Sequence, residues 1–105
     1  AAGDVRIGDG ATERPLEAVL TDAGALGARL ALLAVPGKPV AIALRDPADA
    51  ALALLACWHA GLVPCLLDAD ASDAALDTQA ASAGVVLLLA DAARPLPGVP
   101  KQMTW

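Results

Sequence analysis

The fold is decided by the stretch Trp58-His59-Ala60-Gly61-Leu62-Val63-Pro64-Cys65-Leu66-Leu67-Asp68, in which a helix ends and a short apolar strand, expected to be buried, begins. Glycine adopts the left-handed conformation that closes many helices, so we predict that the helix ends at Gly61. At its start, Asp46 is a suitable N-cap and Pro47 fits the first helical position, where no intrahelical hydrogen bond is lost. Apolar residues then recur at helical spacing and are expected to be packed: Leu52, Leu55, Trp58 and Leu62.

Two further apolar runs surround this stretch, at residues 40–44 and 85–89. Continuous apolar runs are typical of strands buried on both faces of a parallel sheet. A helix that begins near residues 70–73 and closes at Gly84 separates the strand at 63–67 from the last run. We therefore predict an α/β fold, a small and mainly parallel sheet with strands near 40–44, 63–67 and 85–89 and with helices on both faces.

The N-terminal 34 residues carry weaker signals. Val5-Arg6-Ile7 followed by Gly8-Asp9-Gly10 suggests a strand that runs into a tight turn, and with it a possible N-terminal β-hairpin. Residues 13–20 fit either a second strand or a helical turn. Thr21 is a plausible N-cap for a helix over 22–34, whose apolar stripe is formed by Leu26, Leu30 and Leu33.

Residues 1–90 are thus expected to form one α/β subdomain, and residues 91–105 a Pro-rich linker or tail. Trp105, at the end of this segment, has three interpretations: it anchors the tail on the domain, it anchors it on a partner, or it is disordered.

The composition sets the broad class of the protein. The 105 residues make one domain or a piece of a larger one, and 57% are hydrophobic while only 2% are aromatic. The core must therefore consist of Ala, Leu and Val, and some of the apolar surface is expected to meet another domain or protein. A net charge of −5 with scattered basic residues argues against nucleic-acid binding.

Residues 50–67 are nearly long enough to span a membrane, but His59, Gly61 and Pro64 divide them into helix, turn and strand. We therefore expect no membrane span. The two cysteines, Cys57 and Cys65, do not form a metal-binding pair motif and are interpreted as reduced thiols, which together with the absence of a signal peptide predicts a cytoplasmic protein.

Few residues qualify as candidates for chemistry. His59 is the only histidine, and as a general base it lacks an identifiable partner, so a structural role is favoured. Asp68, Asp70 and Asp73 are conceivable magnesium ligands, but helix capping explains them without a metal. Ser72 has no evident base. We assign no catalytic, cofactor-binding or metal-binding residue to this chain.

Several segments, in order, resemble the N-terminal subdomain of adenylate-forming enzymes, the acyl-CoA synthetases and the adenylation domains of peptide synthetases. The similar segments are Leu20-Thr21-Asp22-Ala23-Gly24, Pro36-Gly37-Lys38-Pro39-Val40-Ala41, Ala60 to Asp68, and Ser82-Ala83-Gly84-Val85-Val86-Leu87-Leu88. The chain departs from the family pattern where Lys38 replaces an Asp, where Leu66 replaces a second Pro, and where Ala75 stands near the place of an Arg.

The resemblance implies a scaffold subdomain of an ATP-dependent ligase that forms an acyl-adenylate and then an acyl-thioester. ATP and magnesium are the family's cofactors, but the phosphate-binding loop and the catalytic lysine of the family have no counterpart in these residues, so the subdomain would not be catalytically competent alone. The expected partner is the remainder of the parent ligase. The alternative is a free-standing interaction module that binds a protein, or a second copy of itself, through an apolar face. A third hypothesis is an unrelated flavodoxin-like regulator.

Overall fold

The computed structural model describes residues 6–7 and 14–105. Along the chain the elements are β1 (Arg6–Ile7), β2 (Arg14–Pro15), α1 (Leu16–Leu30), β3 (Pro39–Ala43), α2 (Pro47–His59), β4 (Val63–Leu66), α3 (Asp73–Ala83), β5 (Leu87–Ala90) and β6 (Gln102–Thr104). Strands β1 and β2 pair in the antiparallel sense, as expected of a hairpin. The turn predicted at residues 8–10 lies outside the described residues.

The main sheet has four strands in the order β4-β3-β5-β6, and every neighbouring pair is parallel. The chain leaves the central strand β3 through α2 to reach β4, then returns through α3 across β3 to reach β5. Right-handed crossovers in opposite directions place the connecting helices on opposite faces of a sheet. The predicted parallel α/β fold is confirmed.

The two faces of the sheet are built by alternation along β3 and β5. Val40 and Ile42 belong to the core beneath α1 and α2, whereas Ala41 and Ala43 belong to the core beneath α3. Successive side chains of a strand point to opposite faces, so a run without any polar residue supplies both cores. The predicted helices on both faces are therefore present.

The predicted helix boundaries of α2 and α3 are confirmed in detail. The Asp46 carboxylate accepts a hydrogen bond from the Ala48 amide at the start of α2, with Pro47 in the first turn. Gly61, just after α2, and Gly84, at the end of α3, have φ angles of +73° and +68°. Such angles strain any residue with a β-carbon, which is why glycine is found at both positions.

The bounds predicted for the first helix are wrong. Helix α1 begins at Leu16 and ends at Leu30, so Thr21 lies inside it rather than at its N-cap. Val19 and Ala23 extend the buried stripe of Leu26 and Leu30 toward the N-terminus, and this burial outweighs the capping signal at Thr21. Beyond Leu30 the chain forms tight turns, in which the predicted stripe residue Leu33 is exposed.

The environment predicted for β4 and Trp58 is also wrong. Strand β4 lies at an edge of the main sheet, with Val63 and Leu66 exposed, so it is not a buried strand. The Trp58 side chain, expected in the core, is 62% exposed. The face of α2 that contacts the sheet and α1 is formed instead by Leu52, Ala53, Ala56 and Cys57.

Pro64 fits this edge position. The amides of Val63 and Leu67 donate to Lys38 and Ile42 on the β3 side. Alternation along the strand then directs the Pro64 nitrogen away from β3, toward the open edge. A proline is compatible with a sheet at such a site because no ladder hydrogen bond is lost.

The segment 91–105 contributes a strand that the sequence pattern did not predict. Strand β6 pairs with β5, and Leu96 and Val99 are buried against the α3 side of the sheet. The Trp105 amide donates to the Ala90 carbonyl at 2.7 Å, and its side chain packs against the core on the α1–α2 side. Of the three interpretations of Trp105, the structure therefore supports anchoring on the domain.

Within the described part of the chain, none of the helices combines the length and the apolar character that crossing a membrane requires.

Candidate functional site

The strand order creates a crevice at the carboxyl ends of β3 and β5. The chain leaves β3 toward one side of the sheet and leaves β5 toward the other, and ligands of open α/β sheets bind at such a switch point. Here the crevice has a volume of about 250 Å³. We call it the switch cleft; its lining residues are Ala43, Arg45, Ala69, Ala90, Asp91, Ala92 and Arg94.

Arg94 is the most constrained polar side chain of the switch cleft. Its Nε donates to Asp73 Oδ1 at 2.6 Å, and Nη1 and Nη2 donate to the carbonyl oxygens of Ala69 and Ala71. Its side chain is only 21% exposed. Because all three guanidinium nitrogens donate to this region, Arg94 fastens the segment after β5 to the β4–α3 loop and the start of α3.

Arg45 has a similar but more exposed role on the other side of the cleft. Its Nε donates to Asp70 Oδ1 at 2.8 Å, and its backbone amide donates to Asp91 Oδ2 at 3.1 Å. The hydrogen bond and the negative charge of Asp70 raise the pKa of Arg45 above its ordinary value. Both guanidinium groups of the switch cleft are thus paired with carboxylates through Nε.

The three aspartates weighed as magnesium ligands have separate structural contacts. Asp68 Oδ1 accepts from the Asp70 amide and closes a turn, while Asp70 and Asp73 bind the two arginines. The N-cap of α3 is Ser72, whose hydroxyl accepts from the Ala75 amide at 3.2 Å. Among the described residues no group of three His, Cys, Asp or Glu side chains is arranged to hold a metal ion. The three aspartates thus take part in one turn and two ion pairs, and the capping expected of them at the start of α3 is provided by Ser72.

His59 lies away from the switch cleft. It is at the last position of α2, and its ring lies beside Gly24 and Gly27 of α1. Ser72, at the start of α3, belongs to the opposite face of the sheet. The structure does not bring these two candidates together, so they form no nucleophile–base pair.

Both cysteines are free thiols. Cys57 is fully buried in the core on the α1–α2 side, whereas Cys65 is in register with Ala41, which faces α3. Burial, and to a lesser extent the neighbouring Cys65, raises the pKa of the Cys57 thiol to about 11. A thiol with such a pKa is protonated and unreactive at neutral pH.

An apolar surface lies on α2, on the side away from the fully buried residues Leu52, Ala53, Ala56 and Cys57; within it Ala50, Leu54 and Leu55 are half-buried at the margin of the core, and Trp58 is exposed. Pro47, Ala50, Ala51, Leu54, Leu55 and Trp58 recur at intervals of three and four, which places them on one side of the helix. We call this the α2 outer face. None of its residues is charged or polar, since the ionisable residues of α2 are Asp49, Cys57 and His59, which do not belong to this face.

A groove runs between the α2 outer face and strand β4. It has a volume of about 470 Å³ and is lined by Pro47, Ala50, Ala51, Leu54, Leu55 and Leu66. Leu66 is 60% exposed at the edge of the sheet. The sequence contains a signal for this surface, because α2 has an apolar residue at nearly every position. A helix that is apolar all round is typical of the interior of a larger structure.

Comparison of the sequence with family models and with curated proteins finds no match. The fold, however, is similar to solved structures. The Bacillus subtilis o-succinylbenzoate coenzyme A synthetase MenE in complex with AMP has a TM-score of 0.77 and 20% identity, over 89% of this chain and 26% of that one. The Klebsiella oxytoca NpsA N-terminal subdomain has a TM-score of 0.77 and 19% identity, over 89% and 25%. A Brucella canis acyl-CoA synthetase has a TM-score of 0.80 and 20% identity, over 90% and 18%.

This chain has a fold found in the N-terminal subdomain of adenylate-forming enzymes. The expectation from the sequence motifs is thus met at the level of the fold. The chain spans about a quarter or less of the length of these structures, including the NpsA N-terminal subdomain itself. The matched proteins therefore extend well beyond the part that is similar to this chain.

Proposed function

We propose that this chain is a scaffold subdomain of an ATP-dependent carboxylate-activating ligase, which forms an acyl-adenylate and then an acyl-thioester. Its role in that enzyme is to support the larger part that binds nucleotide and substrate. The α2 outer face carries this proposal. An uncharged helix face with a Trp exposed to 62% is stable in water only at a free-energy cost, and that cost disappears when another layer of protein covers it.

The chemistry of the switch cleft agrees with a supporting role. Its arginines are paired with aspartates of the same subdomain, so they are occupied in holding loops together. A nucleotide site needs free backbone amides or free cations that face the phosphates. The ATP and magnesium of the proposed reaction are accordingly assigned to the remainder of the ligase. Free thiols agree with a cytoplasmic enzyme.

The first test is the gene that encodes the chain. Under the proposal, the reading frame continues past Trp105 into a Gly-rich loop that ends in Lys. A stop codon directly after Trp105 would contradict it and leave the free-standing interaction module, which the exposed α2 outer face also supports. Calorimetric titration of the 105-residue chain with ATP and magnesium is expected to show no binding, and tight binding would contradict both functions.

A second test follows the surface itself. In a Trp105→Phe background Trp58 is the remaining tryptophan, so its fluorescence reports on the α2 outer face alone. We expect the emission to move to shorter wavelength when the chain is part of the longer polypeptide, with every further tryptophan of that polypeptide replaced by Phe, because Trp58 becomes buried. Unchanged emission would show that the remainder of the ligase does not cover this face. Trp58→Phe with Trp105 retained is the matched control for signals from the C-terminus.

A further inference from the structure

We infer that the end of the main sheet at which the strands begin binds the surface of a bilayer that contains anionic phospholipids. The inference goes beyond the proposed function and does not depend on it. It is based on exposed apolar side chains, on unpaired cations and on the distribution of charge along the sheet. We call this region the amino-end surface; its residues are Arg29, Leu32, Val35, Lys38, Val63 and Lys101.

The apolar part of the amino-end surface is the turn between α1 and β3. Leu32 and Val35 are the most exposed large apolar side chains in the described part of the chain, at 85% and 66%. Val63 is 49% exposed and adjoins the end of the turn, because its amide donates to the Lys38 carbonyl. Single exposed apolar residues are ordinary, but two in one turn with a third beside it form a patch that can enter the headgroup region of a bilayer.

Three cations surround this turn. Arg29 is in the last turn of α1, Lys38 directly precedes β3, and Lys101 directly precedes β6. Lys101 Nζ donates to the Leu33 carbonyl oxygen at 3.2 Å, which holds it beside the turn. All three residues are exposed, and none of them has a carboxylate partner among the residues that the structure describes. Their charges are therefore available to lipid phosphates and carboxylates.

The carboxylates of the protein lie toward the other end of the sheet. Among residues 14–105, every acidic residue either follows a strand or belongs to the first half of a helix, and in this parallel fold both positions lie toward the carboxyl end of the strands. Strand β3 has five residues, so the two ends of the sheet are about 16 Å apart. This separation is about twice the Debye length at physiological ionic strength. An anionic surface at the amino end therefore meets mainly the local cations, although the chain has a net charge of −5.

The combination of cations and apolar side chains suits a lipid surface. Anionic headgroups can pair with the cations while the apolar side chains reach the boundary of the acyl chains. The long stems of the lysines let their ammonium groups stay among the headgroups while the turn enters more deeply. The contact involves one face of the bilayer and needs no spanning helix. The amino-end surface shares no residue with the α2 outer face or the switch cleft, and Trp105, which follows β6, lies at the opposite end of the sheet.

Co-sedimentation of the 105-residue chain with vesicles tests the inference. The vesicles contain phosphatidylcholine with about one-third phosphatidylserine, and we expect an apparent dissociation constant of about 0.1–1 mM lipid, no tighter than a single acyl anchor. Binding should weaken as salt is raised, and it should be about tenfold weaker or more for vesicles of phosphatidylcholine alone. No binding to either kind of vesicle, or equal binding to both, overturns the inference.

Two matched pairs of variants locate the contact. Leu32→Asp should weaken binding to the anionic vesicles by about tenfold or more, whereas Leu66→Asp makes the same change at a residue 60% exposed on β4 and should bind normally. Lys38→Gln should lower the affinity about fivefold, because one cation near an anionic surface contributes about that factor. Arg45→Gln removes the same charge at the carboxyl end of the sheet and should have little effect. Normal binding by Leu32→Asp, or equal losses within either pair, contradicts binding through the amino-end surface.

The longer polypeptide of the proposed function gives an independent check. If the reading frame continues past Trp105, that polypeptide should bind the same vesicles and lose binding with Leu32→Asp. Loss of binding in the longer polypeptide itself would show that another part of the protein covers the amino-end surface. This result would overturn the inference and leave the proposed function intact, whereas a stop codon after Trp105 would contradict the proposed function alone.

Discussion

Gly27 of α1 lies so close to Ala56 of α2 that a β-carbon built on the glycine would be 3.0 Å from the Ala56 carbonyl oxygen. The same β-carbon would be 3.1 Å from Cδ2 of His59. The missing side chain thus allows α1 and α2 to pack side by side on one face of the sheet. It also allows the side chain of His59, at the C-terminal end of α2, to pack against α1.

Gly27→Ala should destabilise the protein although alanine is the better helix former. The clash involves a backbone oxygen, which cannot move without α2, and overpacking of this kind costs about 1–3 kcal/mol. Gly24→Ala is the matched control, because its β-carbon meets only the His59 ring, at 3.8 Å. There the gain in helix propensity, up to about 1 kcal/mol, should dominate. Urea unfolding of both variants should show opposite signs; equal effects would contradict the close contact.

Arg94→Met should lower the free energy of unfolding by about 1–3 kcal/mol, because it leaves the Asp73 carboxylate and two loop carbonyls without their donor. Arg45→Met is the comparison. The Arg45–Asp70 pair is exposed on both sides, with 65% and 75% of the two side chains accessible, and such pairs contribute little. Thermal unfolding should therefore separate the two variants clearly. Equal loss in both would show that Arg94 is not the fastening point.

The Cys57 thiol should make stability pH-dependent in alkaline solution. Its pKa is raised from 9.0 to about 11 in the folded protein, so folding favours the protonated thiol. This contribution is complete below pH 9 and is lost as the pH rises toward 11, because the unfolded chain gains free energy by ionising first. The unfolding free energy of the wild type should therefore fall across this range more steeply than that of Cys57→Ala. Parallel pH profiles would contradict this.

Leu96→Ala should cost about 2–4 kcal/mol, because Leu96 is 4% exposed within the core beneath α3. Leu32→Ala removes the same atoms from a side chain that is 85% exposed and should have little effect. Chemical denaturation of the pair measures how firmly the segment after β5 is held. A neutral Leu96→Ala would mean that this segment does not share the core.

The sequence predicted those parts of the fold whose signals are local. Asp46 and Gly61 mark the ends of α2 through contacts within one helical turn, and the continuous apolar runs identified β3 and β5. Strand β6 was not predicted, because its three residues follow several prolines and have no periodic pattern of their own. Its formation depends on pairing with β5, which lies earlier in the chain. The predicted start of α1 is too far along the chain, because Thr21 has the properties of an N-cap while the buried stripe already includes Val19.

The same distinction applies to the candidate sites. The Arg94–Asp73 and Arg45–Asp70 pairs join residues 21 and 25 positions apart, and no spacing rule predicts such contacts. The error at Trp58 has a different cause. Helix α2 is apolar on all sides, so periodicity alone could not decide which side meets the sheet; the small residues Ala53 and Ala56 allow the close approach.

Because of Pro64, the two edge strands of the main sheet, β4 and β6, differ in their capacity to pair with a further strand. An incoming strand at β4 would find no amide at this position, whereas β6 presents the outward amides of Gln102 and Thr104. Uncontrolled growth of β-structure, as in fibril formation, should therefore begin more readily at β6 than at β4. A segment that pairs with β6 would satisfy these outward amides. It would therefore also protect the chain against aggregation at this edge.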